Sequence, residues 1–596
     1  MHWLFTRGIC MTIRFKVSAL SLVKHRSRVF TRRAGMASAL LLAVVTGATP
    51  SVARAAPSPS PLGLHVARHD HAGADAVSSR HRARPCATRP APPSNTVPTP
   101  PPVTAGSGVW SFVTEPRLHP MRVTVITRTP HTAPGDIFVA PYAAGRMVGQ
   151  TGSLIVDNAG DPVWFRPLAS AKLQNADFRV QTYHDPHTGK AQRVLTWWQG
   201  SIAIPPTYTN LPIGGAEPGG CYYIVDSHYR LIRTVFARHG FNPDEHEFTL
   251  TRAGTVLFVA SKAVPMDLTP YGGPKDGAIL DAEVQEVDLR TGRLVFSWDM
   301  LDHVDPADSE TPASDATKSG GVWDAFHMNS IDERGGELLV SARNMWAVYK
   351  ISKSSGRILW QLGGKRSDFT FGTNAEFFWQ HDARFRAGNR ISMFDDGCCN
   401  LTGGRPEQQS HGLILSLDLR RHRADAVRTY YHKRGLYSPS EGNMQALPNG
   451  NEFVGWGQNP YYSEYTGAGN SQGHGTVNLV YDARLAGFNF SYRILRNTWI
   501  GTPHYPPRAA ARSSAGQRVV YASWNGSTQT RAWQVLAGRH ADELSVVVRR
   551  YARVGFETGI PTNSRGPYFQ VRALDGRGKV LGTSKVVKLR RADFLP

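Results

Sequence analysis

The chain has 596 residues, too many for one core unless a repeat or ring architecture absorbs the length. At 41% hydrophobic, 19% charged and 10% aromatic, with 57 Gly and 40 Pro, it is a folded, turn-rich protein, which excludes a coiled coil or a wholly disordered chain. The net charge of +22 divides as +12 in residues 1–106, +11 in 501–596 and −1 between them, so no basic nucleic-acid groove runs through the middle and no nucleic-acid partner is expected.

Residues 1–55 read as an export signal. A basic stretch ending in Thr31-Arg32-Arg33 precedes an apolar run, Met36 to Val45, too short to span a bilayer. Ala53-Arg54-Ala55 has the A-x-A form of a signal-peptidase site, and the paired arginines loosely fit a twin-arginine signal. The expected location is secreted or in the cell envelope, with no transmembrane segment after cleavage. Residues 56–106, Pro, Ala, Ser, Arg and His with hardly a large apolar side chain, are a linker that cannot bury enough surface to fold. Of the five cysteines, Cys10 falls in the signal and Cys86 in the linker. Cys221, Cys398 and Cys399 suit one disulfide with a spare thiol, or a linkage between neighbours, and no C-x-x-C spacing supports a zinc site.

From 107 to 500 one hairpin recurs: an apolar strand, a turn often holding Asp, then a second strand rich in Arg, Phe or Trp. Its anchors are Asp157, Asp226, Asp288, Ser352, Asp418 and Asp482, spaced 69, 62, 64, 66 and 64 residues apart. Six units of similar length, each with four short strands and no amphipathic helix, predict an all-β, six-bladed β-propeller. Upstream of each hairpin lies an inner half: His246-Glu247-Phe248, His327-Met328-Asn329, His381-Asp382-Ala383 and Asn443-Met444-Gln445 each run into a Gly turn and an apolar strand. Because the first strand of every blade lines the channel, this register predicts His246, His327, His381 and Asn443 at one channel mouth. Arg343, just after Val340-Ser341-Ala342, adds a cation in the blade of His327. From about Gly501, alternating strands Val519–Trp524, Leu544–Val548 and Tyr568–Val571 predict a small C-terminal β-sandwich over 501–596.

Imidazoles, an amide and a guanidinium around a pocket suit a substrate carrying a tetrahedral anion: Arg and neutral donors hold oxygens, one His attacks and another protonates the leaving group. Three histidines also suit zinc or manganese. The nearby Arg343 argues against a metal, and Asp382, next to His381, points to the other face of a regular strand. No cofactor is expected.

Asp324-Ala325-Phe326-His327-Met328-Asn329-Ser330, Ser341-Ala342-Arg343, Trp360-Gln361-Leu362-Gly363-Gly364, Trp379-Gln380-His381-Asp382-Ala383 and Ser440-Glu441-Gly442-Asn443 resemble the arylsulfotransferase family in its actinobacterial-type branch. Ser523-Trp524-Asn525-Gly526-Ser527 and Gly555-Phe556-Glu557-Thr558 resemble that branch's C-terminal module. The resemblance implies a six-bladed propeller. It also implies transfer of a sulfuryl group from a phenolic sulfate ester to a phenol, without a nucleotide donor and through a sulfated histidine. His381 matches the nucleophile, Asn329 and Arg343 match sulfate-holding groups, and His246 and His327 complete the pocket. Apart from the resemblance, Trp379, two residues before His381, is placed to stack on an aryl group. Two other readings remain open: a metal-dependent propeller hydrolase or lyase, and a non-catalytic binding propeller.

Overall fold

The computed structural model describes residues 108–170, 173–201, 220–398, 408–514 and 517–591. The export signal at 1–55, the linker at 56–106, Cys10, Cys86 and Cys399 lie outside the described residues. Cys221 and Cys398 are both disulfide-bonded.

The described chain is almost entirely β, as the recurring hairpins and the lack of amphipathic helical stretches predict. Between residues 123 and 497 the strands form six sheets, each built around four antiparallel neighbours. Middle strands such as Gly152–Val156, Cys221–Val225 and Tyr461–Tyr465 are buried at every position. Outer strands such as Leu294–Asp299 show burial on alternate residues. That contrast is what sheets stacked face to face require: a middle strand has a neighbour on both faces, an outer one meets water.

The apolar cores lie between sheets, and their order closes a ring. Phe138 and Ile155 pack with Phe178 and Trp197, Trp198 and Tyr222 with Phe248 and Phe258, and Leu257 and Val284 with Leu338 and Val340. Leu339 and Val348 then pack with Met393 and Leu413, Phe394 and Tyr430 with Met444 and Trp456, and Phe453 and Tyr481 return to Ile137 and Leu154. Two strand exchanges lock this closure. The late strand Leu495–Asn497 pairs with Asp136–Val139 of the first sheet, while the early strand Val123–Arg128 pairs with Leu479–Leu485 of the last. Exchanging both ends leaves neither edge of the ring open to peel. The architecture is that of a propeller.

Five repeat anchors fall at the end of the third strand of successive sheets, as expected: Asp157, Asp226, Asp288, Ser352 and Asp418. Asp482 differs. It sits inside the fourth strand, Leu479–Leu485, of the last sheet, buried against Lys433 Nζ at 2.9 Å and His432 Nε2 at 3.2 Å. Its spacing fits the repeat because the connection after Tyr461–Tyr465 is long enough to mimic one hairpin.

The tail forms two sheets. One orders Glu557–Thr562, Gln517–Ser523 and Arg508–Ser514; the other orders Ser545–Ala552, Ala532–Gly538, Tyr568–Leu574 and Val580–Thr583. Val520, Ala522, Trp533, Val535, Ile560, Phe569 and Val571 fill the space between them. This sandwich is fastened to the ring. Asn525 accepts from Phe165 N and donates to Phe165 O, both at 2.9 Å. Glu557 accepts from Val113 N at 2.9 Å and Thr114 N at 2.6 Å, and Phe556 packs on Phe112 with centroids 4.3 Å apart. Gly526, at φ +88°, is required where it is, since a Cβ there would stand 2.5 Å from the Tyr229 ring. Truncating Asn525 to Ala strands a buried N–H and a buried C=O and is expected to cost about 2–4 kcal/mol. Urea unfolding checks this; an unchanged midpoint would mean that the tail stands independently of the ring.

Candidate active site

The innermost strands carry the site, and four of them are irregular, whereas Asn443–Ala446 pairs in unbroken register. In Asn242–Leu250 the pairing with its neighbour jumps from Phe248 to Pro243, leaving Asp244 to Glu247 outside the ladder. The same happens at Asp177-Phe178, at Asn329 and at Asp382-Ala383. Asp177, His327 and Asp382 take positive φ values of 49°, 52° and 57° at these places. Bulges re-aim side chains that alternation would send elsewhere, and such strained residues gather at functional sites.

The three histidines converge. One ring nitrogen from each of His246, His327 and His381 lies within 4.8 Å of the others. Ring centroids are 4.8 Å apart for His246 and His327 and 6.3 Å for His327 and His381, with near-perpendicular planes. Each Nδ1 meets a carboxylate. That of His246 bonds Asp244 Oδ1, that of His327 Asp324 Oδ2 at 2.6 Å, and that of His381 Asp396 Oδ2 at 2.6 Å and Trp379 O at 3.1 Å. His381 Nε2 accepts the Glu441 N–H at 3.2 Å, which assigns the ring proton to Nδ1.

Similar partners produce different charge states. Burial alone would lower the pKa of His246, but the Asp244 carboxylate, helped by Glu245, overcomes it and pushes the ring up to about 9. His381 is held well below the ordinary imidazole range by its full burial and by its neighbours Arg343, His327, His246 and Arg493. His327 is lowered too, chiefly by burial, against the pull of Asp324. At neutral pH one ring is therefore a cation and two are neutral.

Arg343 starts a short turn after Glu337–Ala342, and its N–H bonds the His327 carbonyl at 3.0 Å. Its guanidinium donates to Asn344 Oδ1 and Pro439 O, both at 2.7 Å, and lies 4.7 Å over the Trp379 ring; its Nε is buried with no partner among the described residues. Trp379 is thus enclosed, against Arg343 on one side and Trp346 on another, not open to stack on an aryl group. Asn329 donates to Gln380 O at 2.7 Å, tying two inner strands together. Asn443 spends both ends of its amide on the Ile494 backbone, at 2.9 and 3.0 Å. Asp382 does not touch His381; it bonds Arg384 and Met444 N instead.

Sequence reasoning passed over Asp244, Asp324, Asp396, Glu441 and Tyr492. Two of these were legible: Asp244 and Asp324 stand two and three residues before their histidines. Asp396 reaches His381 only across a strand pair, and Tyr492, 5.2 Å from His246, comes from the far end of the ring. The three nitrogens are geometrically able to hold a divalent metal, and a carboxylate on each Nδ1 is how such ligands are commonly oriented. The positive charge of His246 and the lone pair that His381 commits to Glu441 oppose it.

Residues 219–475 match the family described as Arylsulfotransferase (ASST). No curated protein matches the chain. Among solved structures, a protein of unknown function from Bacteroides caccae is similar with a TM-score of 0.33 and 11% identity, over 61% of this chain and 98% of that one. The β-propeller domain of Myceliophteria thermophila Cps50 (Swd1) gives 0.26 and 11%, over 57% and 94%. Kluyveromyces lactis Hsv2 gives 0.28 and 9%, over 62% and 100%. Likenesses this weak carry nothing about function.

The charge assignment is testable by NMR titration of the His246 ring. Since its folded pKa lies above the unfolded value of 6.5, its contribution to stability is complete below pH 6.5 and is lost as pH rises through about 9. Asp244→Asn is expected to lower the His246 pKa by at least about one unit and to flatten that alkaline loss. An unchanged titration would show that Asp244 does not set the charge.

Proposed function

We propose, from the match of residues 219–475 to the arylsulfotransferase family, that the protein transfers a sulfuryl group from a phenolic sulfate ester to a phenolic acceptor, without a nucleotide donor and through a sulfohistidine at His381. We further propose that it does so outside the cytoplasm, as a secreted or envelope protein released from its signal at 1–55, with the six sheets as the blades of its propeller. The observation that carries the chemistry is the juxtaposition of a neutral, buried imidazole and a cationic one, with Arg343 close enough to depress the first.

His381 Nε2 attacks sulfur; the S–N bond forms as the bond from sulfur to the aryl oxygen breaks. The 3.2 Å bond from Glu441 N–H, long for its kind, yields as sulfur approaches. The departing phenolate takes a proton from His246, whose pKa of about 9 sits near that of a phenol, so the transfer is nearly balanced. In the second half the acceptor phenol gives its proton back to His246, its oxygen attacks sulfur and the S–N bond breaks. Asp396 and Trp379 O keep the His381 proton on Nδ1, leaving Nε2 as the nucleophile. Arg343 offers positive charge to the sulfonate oxygens, and His327, neutral and braced by Asp324, closes the pocket. Asn329 and Asn443 act by holding the inner strands in place.

A metal-dependent hydrolase or lyase is the second reading, favoured by the three converging nitrogens and their carboxylates; metal analysis of the purified protein separates it. The decisive experiment for the first is mass spectrometry of protein mixed with an activated aryl sulfate. A sulfuryl adduct on His381 is expected. His381→Asn should abolish adduct and turnover, and His246→Asn should slow turnover while leaving some labelling. Arg343→Lys, which keeps charge but not the planar fork, should lower kcat/KM by about 10²-fold. An adduct on His327, or on no histidine, overturns the mechanism.

A further inference from the structure

The inner strands that begin near the histidines end in arginines. Met328–Arg334 and His381–Arg386 each carry one at the last position. Around these ends lies a cavity of about 1070 Å³ whose wall includes seven arginines and a single carboxylate, Asp382, and none of the three histidines. A buried layer of ion pairs among Asp177, Glu247, Asp382, Arg179, Arg384 and Arg493 separates the two ends of the channel.

Those pairs and Glu452 neutralise four of the seven arginines from behind: Arg179, Arg384, Arg386 and Arg493. Arg193, Arg252 and Arg334 have no ion-pair partner among the described residues. Arg334 gives one N–H to Arg386 O at 2.9 Å, lies 5.0 Å over the Phe385 ring, and feels Asp332 only at longer range. The three come from three successive sheets, so folding alone brings them together. Two further donors are unspent: the amide nitrogen of Asn497 and Nε of Arg179, both residues of the cavity wall, are buried with no acceptor among the described residues. Converging like charges cost free energy unless an anion answers them, and a cavity with one sign of charge concentrates such ions. Guanidinium forks match the oxygen spacing of sulfate and phosphate groups.

We propose that this cavity is a binding site for a small organic polyanion bearing sulfate or phosphate ester groups, gripped by Arg193, Arg252 and Arg334 and distinct from the histidine site. The volume exceeds what a single inorganic ion needs and is far too small for a nucleic-acid duplex, so the ligand is a multiply charged molecule of saccharide size.

Calorimetric titration of the full chain at low salt tests this with two probes, sucrose octasulfate and inositol hexakisphosphate. Binding of at least one is expected with Kd below about 100 µM, weakening as salt is added; the stronger of the two identifies which ester the site serves. The double variant Arg193→Gln/Arg252→Gln removes two exposed, unpaired side chains and should keep the wild-type melting temperature while weakening binding at least about tenfold. His381→Asn should leave the affinity unchanged, which makes the test independent of any sulfuryl transfer. Absence of heat with both probes, wild-type affinity in the double variant, or loss of binding in His381→Asn would each overturn the proposal.

Discussion

A buried cluster of charges on the ring axis holds the rest of the structure in place. Arg493, 1% exposed, reaches Asp177 at 3.0 Å, Glu247 at 3.2 Å and Asp382 at 3.3 Å. Arg179 and Arg384 share Glu247 from either side, each at 2.5 Å. The remaining sheets join through backbone: Arg493 donates to Asn329 O at 3.0 Å, Arg384 to Ile331 O at 2.9 Å, and Met444 N to Asp382 at 3.1 Å. All six sheets therefore meet one cluster. Ions taken from water are costly to bury, so such a cluster survives only when every member is answered, and removing a single partner costs about 3–5 kcal/mol. Three carboxylates against three guanidiniums meet that condition, and the arginines hold Glu247 well below the usual carboxylate range despite its burial.

The same cluster divides the channel into two chemical settings. On one side, Arg493 adds to the positive field that keeps His381 neutral. On the other, its arginines form the floor of a cavity whose rim bears further positive charge. Within the histidine site, the distinction between the rings comes from small differences in company. Asp244 sits beside His246 with Glu245 adding to its field, whereas the carboxyl on His381, Asp396, is itself pushed up by complete burial and by Asp395 and Glu441, though Arg343 pulls the other way. An anionic neighbour raises an imidazole; a neighbour that resists ionising does not. A cationic ring and neutral ones thus arise from one residue type within 4.8 Å.

Much of this was legible in the sequence. Hydrophobic alternation, the near-constant spacing of the hairpin anchors and the absence of amphipathic helices determine an all-β, propeller-type ring, because strand pairing and turn chemistry are local. The shared register of His246, His327 and His381 brings them together for the same reason: equivalent positions in a closed repeat converge on the axis. Their neighbours Asp244 and Asp324 were readable two and three residues away. Tertiary structure alone decided what depends on departures from the repeat. The bulges at Asp177, Glu247 and Asp382 break the alternation that would aim those side chains elsewhere, so Asp382, which a regular strand would turn away from the channel, joins the axial cluster. Asn443 looked like a fourth site residue by register, yet it braces Ile494, a partner that exists only after the last strand has joined the first sheet. Trp379 is enclosed by Arg343, and the cavity of arginines gathers residues from all six sheets. Arg493 lies 246 residues from Glu247, and no spacing in the chain announces a contact that forms only when the ring closes.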